Sequence, residues 1–223
     1  LACSACTISA NSYHFRSTVP PPWRKHLTRH FNPTKICLQK ASSVPQKNTP
    51  FESTAPPHSR ITGFLKDASF HDSWSIHSTD TSLSALDHFL LAAKQTPRWI
   101  GMCMAVRNRI VQLAGLKNLG ALSELAADKM AASYKTGDRV GIFTVFENHF
   151  DEALIGDKDK HLDVVLSIHR HEVPEKKLVA ITITTVVHVK NRLGSLYMLP
   201  VKPMHRLIAP AVLASIGRST HPA

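Results

Sequence analysis

Alternating apolar residues between positions 140 and 189 constrain the fold of this chain more than any other feature of its sequence. Four segments have the period of two that is typical of strands, and they cover residues 140–146, 152–156, 162–168 and 178–189. Short connections that contain turn residues separate them. Because such connections join neighbouring antiparallel strands, the sequence predicts an antiparallel meander.

Two helices are predicted before this run of strands. Ser82 or Ser84 can cap a helix that ends before Pro97, and Pro97 suits the first turn of the helix after it. The second helix has apolar residues at steps of three and four, namely Trp99, Cys103, Val106, Ile110 and Leu113. We expect the side of this helix that carries Trp99, Val106 and Ile110 to be buried against the sheet.

A short edge strand at residues 70–76 and a closing helix at residues 194–215 complete the order of elements. The closing helix contains Pro200, Pro203 and Pro210, so we expect it to be bent or segmented. The predicted fold class is α+β: a curved antiparallel sheet with two helices after the first strand and a long, proline-bent C-terminal helix.

The first 60 residues differ in composition from the rest of the chain. They contain consecutive prolines at positions 20–22, many Ser and Thr residues and no sustained apolar period, so they lack the apolar surface that folding requires. They also carry most of the chain's net charge of +11. We therefore expect a disordered basic leader over residues 1–60, a single folded domain over residues 61–218 and a tail over residues 219–223.

Two interpretations of the leader fit the sequence equally well. Its Arg and Ser content and its near-absence of acids are typical of organelle transit peptides. Alternatively, it is a translated upstream stretch or the product of a truncated gene. We expect the protein in the cytoplasm, or in an organelle if the leader is a transit peptide.

Several kinds of site and partner are not indicated by the sequence. Cys3 and Cys6 have metal-like spacing, but no second Cys or His pair follows at a finger-like distance, so we expect no metal. No glycine-rich dinucleotide pattern follows a strand, and we expect no cofactor. With 7% aromatic residues a base-stacking surface is not favoured, so we expect no nucleic-acid partner. No apolar stretch reaches the roughly 18–20 residues of a transmembrane segment.

Several blocks of the sequence, in order, resemble the bacterial family called domain of unknown function 2867. The blocks are Gly137–Phe143, Asp159–Asp163, Thr182–Val187, Asn191–Gly194 and Pro203–Ile208, preceded by Pro97–Trp99 with Arg107–Asn108. The resemblance covers residues 65–216, nearly the whole predicted domain.

The resemblance implies a helix-grip-like fold, similar to START lipid-transfer and polyketide-cyclase domains, in which a curved antiparallel sheet grips a long C-terminal helix. Some members of the family are similar to the C-terminal part of proteins that begin with a nucleotide-binding reductase-like domain. The family has no assigned activity, so the resemblance implies a fold and no chemistry.

His161 and Asp163 are the first candidates for a catalytic site. In an extended strand they share one face with Asp157, Asp159, Ser167 and His169. A His flanked by carboxylates suits acid–base chemistry, and His205 of the closing helix could approach the same strand ends. The alternative is a solvated outer face of the sheet. We expect His161 and Asp163 to form a buried or half-buried network with Arg206 or Arg192.

Arginines are the candidates for ligand binding. Arg107, Arg192 and Arg206, with Arg98 and Arg109, could form a rim for an anionic headgroup, because Arg pairs with carboxylate and phosphate in a bidentate fashion. The alternative is structural pairing of these arginines with the carboxylates of Asp138, Asp159 and Asp163.

Three functions remain open from the sequence. The first is a binding module that holds a small apolar or amphipathic ligand between the sheet and the C-terminal helix. The second is an enzyme with a His/Asp acid–base site in the same cavity. The third is an accessory domain that docks on a separate reductase-like protein.

Overall fold

The structure of the chain, a computed structural model, describes residues 49–113, 125 and 129–218, without the side chains of residues 110–113 and 217–218. Within these residues, one antiparallel sheet of seven strands has the order β1-β2-β7-β6-β5-β4-β3. The strands are β1 (Phe51–Glu52), β2 (Phe70–Ser78), β3 (Arg139–Val140), β4 (Phe143–Asn148), β5 (Glu152–Lys158), β6 (Leu162–Val173) and β7 (Leu178–Val189). The α-helices are α1 (Ala85–Lys94), α2 (Arg98–Leu113) and α3 (Arg192–Arg218), and short 3-10 helices cover Arg60–Phe64, Ala131–Ser133 and Pro174–Lys176.

Strands β6 and β7 form the centre of the sheet. They pair along their whole length, from Leu162 opposite Val189 to Val173 opposite Leu178. β7 is rich in Val, Ile and Thr, whose branched side chains pack well on a pleated surface. The long, β-branched strand predicted at residues 178–189 is therefore present with the same ends.

Helices α1 and α3 cover one face of this sheet. Ser84 begins α1 with a capping box, in which the Ser84 hydroxyl accepts from the Asp87 N–H and the Asp87 carboxylate accepts from the Ser84 N–H. The main core lies between the helices and the strands. Its buried members include Leu86, Phe89, Ile168, Ile181 and Leu213.

The opposite face of the sheet is covered as well, by residues 53–68, which we call the cover segment. Ile61 of this segment is fully buried and packs against Leu154, Val165 and Val186 of the three central strands. Partly buried side chains of the same segment, among them Phe64, extend this second core. The solvated outer face that we considered for the polar row of β6 is therefore wrong at Ser167, which is fully buried against Ser59 of the cover segment.

Glu152 connects the cover segment to the sheet. Its carboxylate is buried and accepts hydrogen bonds from the hydroxyls of Ser59 (2.5 Å) and Ser167 (2.6 Å). The backbone N–H of Arg60 lies 3.0 Å and 3.1 Å from its two oxygens. These donors offset the cost of removing a charged group from water.

Residues before position 61 already take part in the fold. β1 pairs with β2, with Phe51 opposite Ser75, and the Ser53 N–H donates to the Ser73 carbonyl at 2.9 Å. Ser59 is buried and caps the 3-10 helix Arg60–Phe64. Residues 51–60, which lie inside the expected leader, thus contribute to the fold, although they have no apolar period that would indicate it.

The strand predicted at residues 140–146 is instead a hairpin. β3 ends at Val140 and β4 begins at Phe143, and these two residues pair across the turn. Gly141 has φ +55°, a left-handed conformation that glycine adopts without the steric penalty of a side chain. The apolar alternation runs through this turn, so period alone does not reveal it.

Helix α2 turns a different side to the core from the one we expected. Ile100 is 1% exposed, whereas Trp99 and Val106 are exposed, with Val106 at 60%. The side chain of Ile110 lies outside the described residues. α2 is apolar around much of its circumference, so its period does not identify which side packs.

The predicted fold class is confirmed. The chain is α+β, with a curved antiparallel sheet, two helices before the main run of strands and a long C-terminal helix. Pro200, Pro203 and Pro210 lie inside α3, which continues through all three as one helix of 27 residues and is not segmented.

The buried side of α2 can be tested with two substitutions of the same kind. Ile100→Ala should lower the free energy of unfolding by about 2–5 kcal/mol, because it leaves a cavity in the core. Val106→Ala should change it by about 0.5 kcal/mol or less, because Val106 already contacts water. Urea unfolding of both variants measures the difference, and equal losses would mean that the assigned side of α2 is wrong.

Candidate ligand-binding site

An open cleft lies where β7 passes into α3. Its volume is about 540 Å³, and it is lined by Ser69, Val189, Lys190, Asn191, Arg192, Ser195, Met198, Leu199 and Lys202. Met198 is buried at its floor, whereas Leu199 is exposed. The cleft therefore lies between the end of the sheet and the C-terminal helix, and its lining combines apolar and basic side chains.

Asn191 and Gly194 place the start of α3 against the end of the sheet. The Asn191 side-chain oxygen accepts from the Gly194 N–H at 3.0 Å, which caps the first turn of the helix. A Cβ at position 194 would collide with the carbonyl oxygen of His161, so the close approach of α3 to the chain before β6 requires glycine. The block Asn191–Gly194 thus determines where the cleft lies.

The basic side chains of the cleft differ in how their charge is balanced. Lys190 Nζ lies 2.7 Å from Asp163 Oδ1 and donates to the Asp159 carbonyl at 2.7 Å. Among the described residues, neither Arg192 nor Lys202 forms an ion pair with a carboxylate. Lys202 has only a long, 3.5 Å contact to the Ser69 carbonyl and lies over the Phe70 ring. The cleft consequently holds two positive charges that no carboxylate in the described part of the chain balances.

His161 and Asp163 lie beside this cleft but make different contacts from those expected. Asn191 Nδ2 lies 3.0 Å from His161 Nδ1 and donates to the Lys160 carbonyl. Because the Asn191 oxygen already accepts from Gly194, this geometry fits a His161 ring whose Nδ1 accepts. Asp163 pairs with Lys190, and neither residue contacts Arg192 or Arg206, so the expected network with an arginine is wrong.

Asp159 organises the turn that precedes β6. Partial burial raises the pKa of this carboxyl, but hydrogen bonds from the backbone N–H groups of His161 and Leu162 outweigh it and hold the pKa below its usual value. Asp159 is therefore an acceptor that fixes the turn, and its oxygens are occupied by backbone groups.

His205 belongs to a different cluster. Its Nε2 lies 3.1 Å from Asp72 Oδ1 on β2, and its ring meets that of Phe70 edge-on. The indole N–H of Trp74 donates to the other oxygen of Asp72 at 3.3 Å. The structure thus does not bring His205 together with His161 and Asp163. Asp72 was missed as its partner, because only the packing of α3 on β2 makes the two residues neighbours.

The five arginines considered for an anion-binding rim do not converge on one point. Arg107 of α2 donates to the Tyr197 hydroxyl of α3 at 2.9 Å. Arg192 lines the cleft, and Arg206, Arg98 and Arg109 are exposed along their helices. Lys202, which sequence reasoning did not single out, takes the place of a second arginine in the cleft.

The carboxylates proposed as structural partners of these arginines have other partners. Asp138 pairs with Lys129 and accepts from the Lys135 N–H, which lowers its pKa. Asp163 pairs with Lys190, and Asp159 binds backbone N–H groups. Structural pairing with these three acids is therefore also wrong for the arginines considered.

The other end of the polar row on β6 joins the cluster around Glu152. Ser167 donates to Glu152, and His169 stands directly opposite Glu152 in the pairing of β5 with β6. Burial lowers the pKa of His169, and the nearby charge of Glu152 opposes this shift without cancelling it. Glu152 was not found from the sequence, because a lone Glu at the start of a strand has no pattern that distinguishes it from a surface residue.

Comparison with protein families identifies the domain. Residues 64–212 match the model of a family described as a protein of unknown function, DUF2867. The chain belongs to this family. Residues 1–39 match a second family of unknown function, DUF1010. No match was found among curated proteins or among solved structures.

The family match confirms the resemblance to domain of unknown function 2867, and its limits lie close to residues 65–216. The likeness to the helix-grip group stays a prediction. Among the described residues, no group of three or more His, Cys, Asp or Glu side chains could hold a metal ion. In the same part of the chain, no helix has the length and apolar character needed to cross a membrane.

The depressed pKa of His169 has a consequence for stability. The pKa is lower in the folded chain than its unfolded value of roughly 6.5, so between the two values the unfolded chain binds more protons. The free energy of unfolding should therefore fall as the pH drops below roughly 6.5. His169→Gln should reduce this dependence, because it removes the imidazole whose pKa burial lowers. Urea unfolding at several pH values tests this, and an unchanged slope in His169→Gln would contradict it.

Proposed function

We propose that the domain binds a small amphipathic anion in the cleft between the end of the sheet and α3. The observation that supports this most is the pair of uncompensated charges, Arg192 and Lys202, beside the apolar side chains of Met198 and Leu199. An acidic headgroup can take the charges while a short apolar part lies against α3.

The geometry of the helix adds to this preference for an anion. The cleft lies at the N-terminal turn of α3, where the aligned peptide dipoles leave partial positive charge. Asp163 lies beside the cleft, and its charge is balanced by Lys190, which lines the cleft. The side chains and the backbone therefore both make the electrostatic potential in the cleft positive.

An acid–base enzyme receives less support. His161 contacts Asn191, Asp163 contacts Lys190 and His205 contacts Asp72, so the three candidate residues occupy two separate places. His169 and Glu152 do face each other, but Glu152 is buried under the cover segment and its oxygens already accept from Ser59, Ser167 and Arg60.

Dodecanoate, a single-chain carboxylate, is a suitable probe, and isothermal titration calorimetry of the full chain measures its binding. Arg192→Gln and Lys202→Gln should each weaken binding about ten-fold, because each removes a hydrogen bond to a charged group. Lys176→Gln removes one exposed positive charge outside the cleft and should leave the affinity unchanged. Dodecanol should bind more weakly than dodecanoate.

A substitution that should strengthen binding complements those that should weaken it. Asp163→Asn frees Lys190 from its ion pair and adds a third uncompensated charge to the cleft, so it should tighten dodecanoate binding. Native mass spectrometry of the purified chain should also show a bound acidic molecule that Arg192→Gln loses. Failure of dodecanoate to bind, or equal affinity in all variants, would contradict the proposal.

A further inference from the structure

The exposed side of α2 is apolar where a surface helix is normally polar. Trp99, Met102 and Val106 follow one another at steps of three and four, so they form a single stripe on the helix. All three are exposed, with Met102 at 71%. Ile100 and Met104, on the other side, are the residues that pack toward the core. The stripe is therefore not needed to hold α2 in the fold.

α3 presents a second stripe of the same character. Leu196, Leu199 and Leu207 are each more than half exposed, whereas Met198 and Leu213 of the same helix are buried. Exposed apolar groups that form a contiguous patch usually mark a surface for interaction.

α2 and α3 touch each other. Arg107 of α2 donates to Tyr197 of α3 and also lies over its ring, with 5.4 Å between the guanidinium carbon and the ring centroid. This contact holds the two helices side by side, and we call their exposed apolar side chains and cations together the α2–α3 face.

The charge of the α2–α3 face has one sign. Neither Arg98–Leu113 nor Arg192–Arg218 contains an Asp or a Glu. The exposed cations of the face are Arg98, Arg109, Arg192, Lys202 and Arg206. The described carboxylates lie on the strands, in turns and short 3-10 segments, and in the first turn of α1, so α2 and α3 carry only positive charge.

We propose that the α2–α3 face docks on the surface of an anionic lipid bilayer. Helices that combine apolar residues with Arg or Lys and lack acids lie in the bilayer interface, where apolar side chains enter the acyl boundary and cations meet headgroup phosphates. Trp99 suits this position, since indole rings prefer the interface. A negatively charged bilayer is complementary to every cation of the face at once, whereas a protein partner would need a matching acidic surface.

The proposal goes beyond ligand binding in the cleft, and the two surfaces share Arg192, Lys202 and Leu199. Co-sedimentation of the full chain with vesicles tests it directly. The chain should bind vesicles of phosphatidylcholine mixed with phosphatidylserine, bind vesicles of phosphatidylcholine alone far more weakly, and be released by added salt. Equal binding to both kinds of vesicle, or binding to neither, would overturn the proposal.

Matched substitutions locate the surface. Met102→Gln should weaken vesicle binding about ten-fold, since it removes an apolar side chain that would leave water. Met130→Gln is the control, because Met130 is equally exposed, at 75%, and lies on neither helix. Arg98→Gln and Arg109→Gln should each weaken binding about five-fold, and Lys176→Gln should not.

All the substituted positions are exposed, so we expect every variant to fold, and thermal melting is the measurement that checks this. Equal losses in Met102→Gln and Met130→Gln would overturn the assignment of the face. So would self-association of the full chain that Met102→Gln abolishes while vesicle binding persists, because the face would then be a protein interface. Met102→Gln should keep its affinity for dodecanoate, so a failure here is distinguishable from a failure of the cleft.

Discussion

The buried carboxylate of Glu152 is the interaction on which the two-sided packing of the sheet depends. It accepts from Ser59 and the Arg60 backbone in the cover segment and from Ser167 on β6. A buried carboxylate without such donors would be costly, so the cover segment and the strand must meet here for the charge to be tolerated. Because the contact closes the outer face, Ile61 can pack on Leu154, Val165 and Val186 out of reach of water.

With both faces of the sheet covered, open space for the proposed ligand lies at the ends of the strands. β7 passes directly into α3 at one of these ends, where Asn191 caps the helix and Gly194 permits its close approach. The cleft results from this junction. α3 contributes to two surfaces. Its first turns line the cleft, and its exposed side chains form part of the α2–α3 face.

The elements that could be predicted from the sequence are those with a local signal. Ser84, one of the two residues predicted to cap α1, does begin it, and the β-branched run of β7 marks a strand with both ends correct. The turn at Gly141 was missed because apolar alternation continues through it. The cover segment was missed because it has no period, and its burial depends on hydrogen bonds to Glu152, about 90 residues away in the chain.

In the candidate site, too, residue type could be used from the sequence, whereas partners that depend on packing could not be predicted. Arg192 was a candidate because Arg pairs with carboxylate and phosphate in a bidentate fashion, and the structure places it in the lining of the cleft. His161, Asp163 and His205 were grouped from strand parity and helix position, yet side-chain partners depend on packing between elements. His205 meets Asp72 only because α3 crosses β2. No sequence pattern distinguishes Lys190 from Lys202. Only the structure shows that Lys190 pairs with Asp163, whereas Lys202 forms no ion pair with a carboxylate of the described residues.

The central claim, that the cover segment is an integral part of the folded domain, is tested most directly by truncation. One shortened chain begins at residue 49 and the other at residue 69, so that they differ only in β1, its flanking residues and the cover segment. The account predicts that the chain beginning at residue 69 melts lower by roughly 10 °C or more, or loses cooperative unfolding, because it exposes the second core. Equal melting temperatures for the two chains would contradict it.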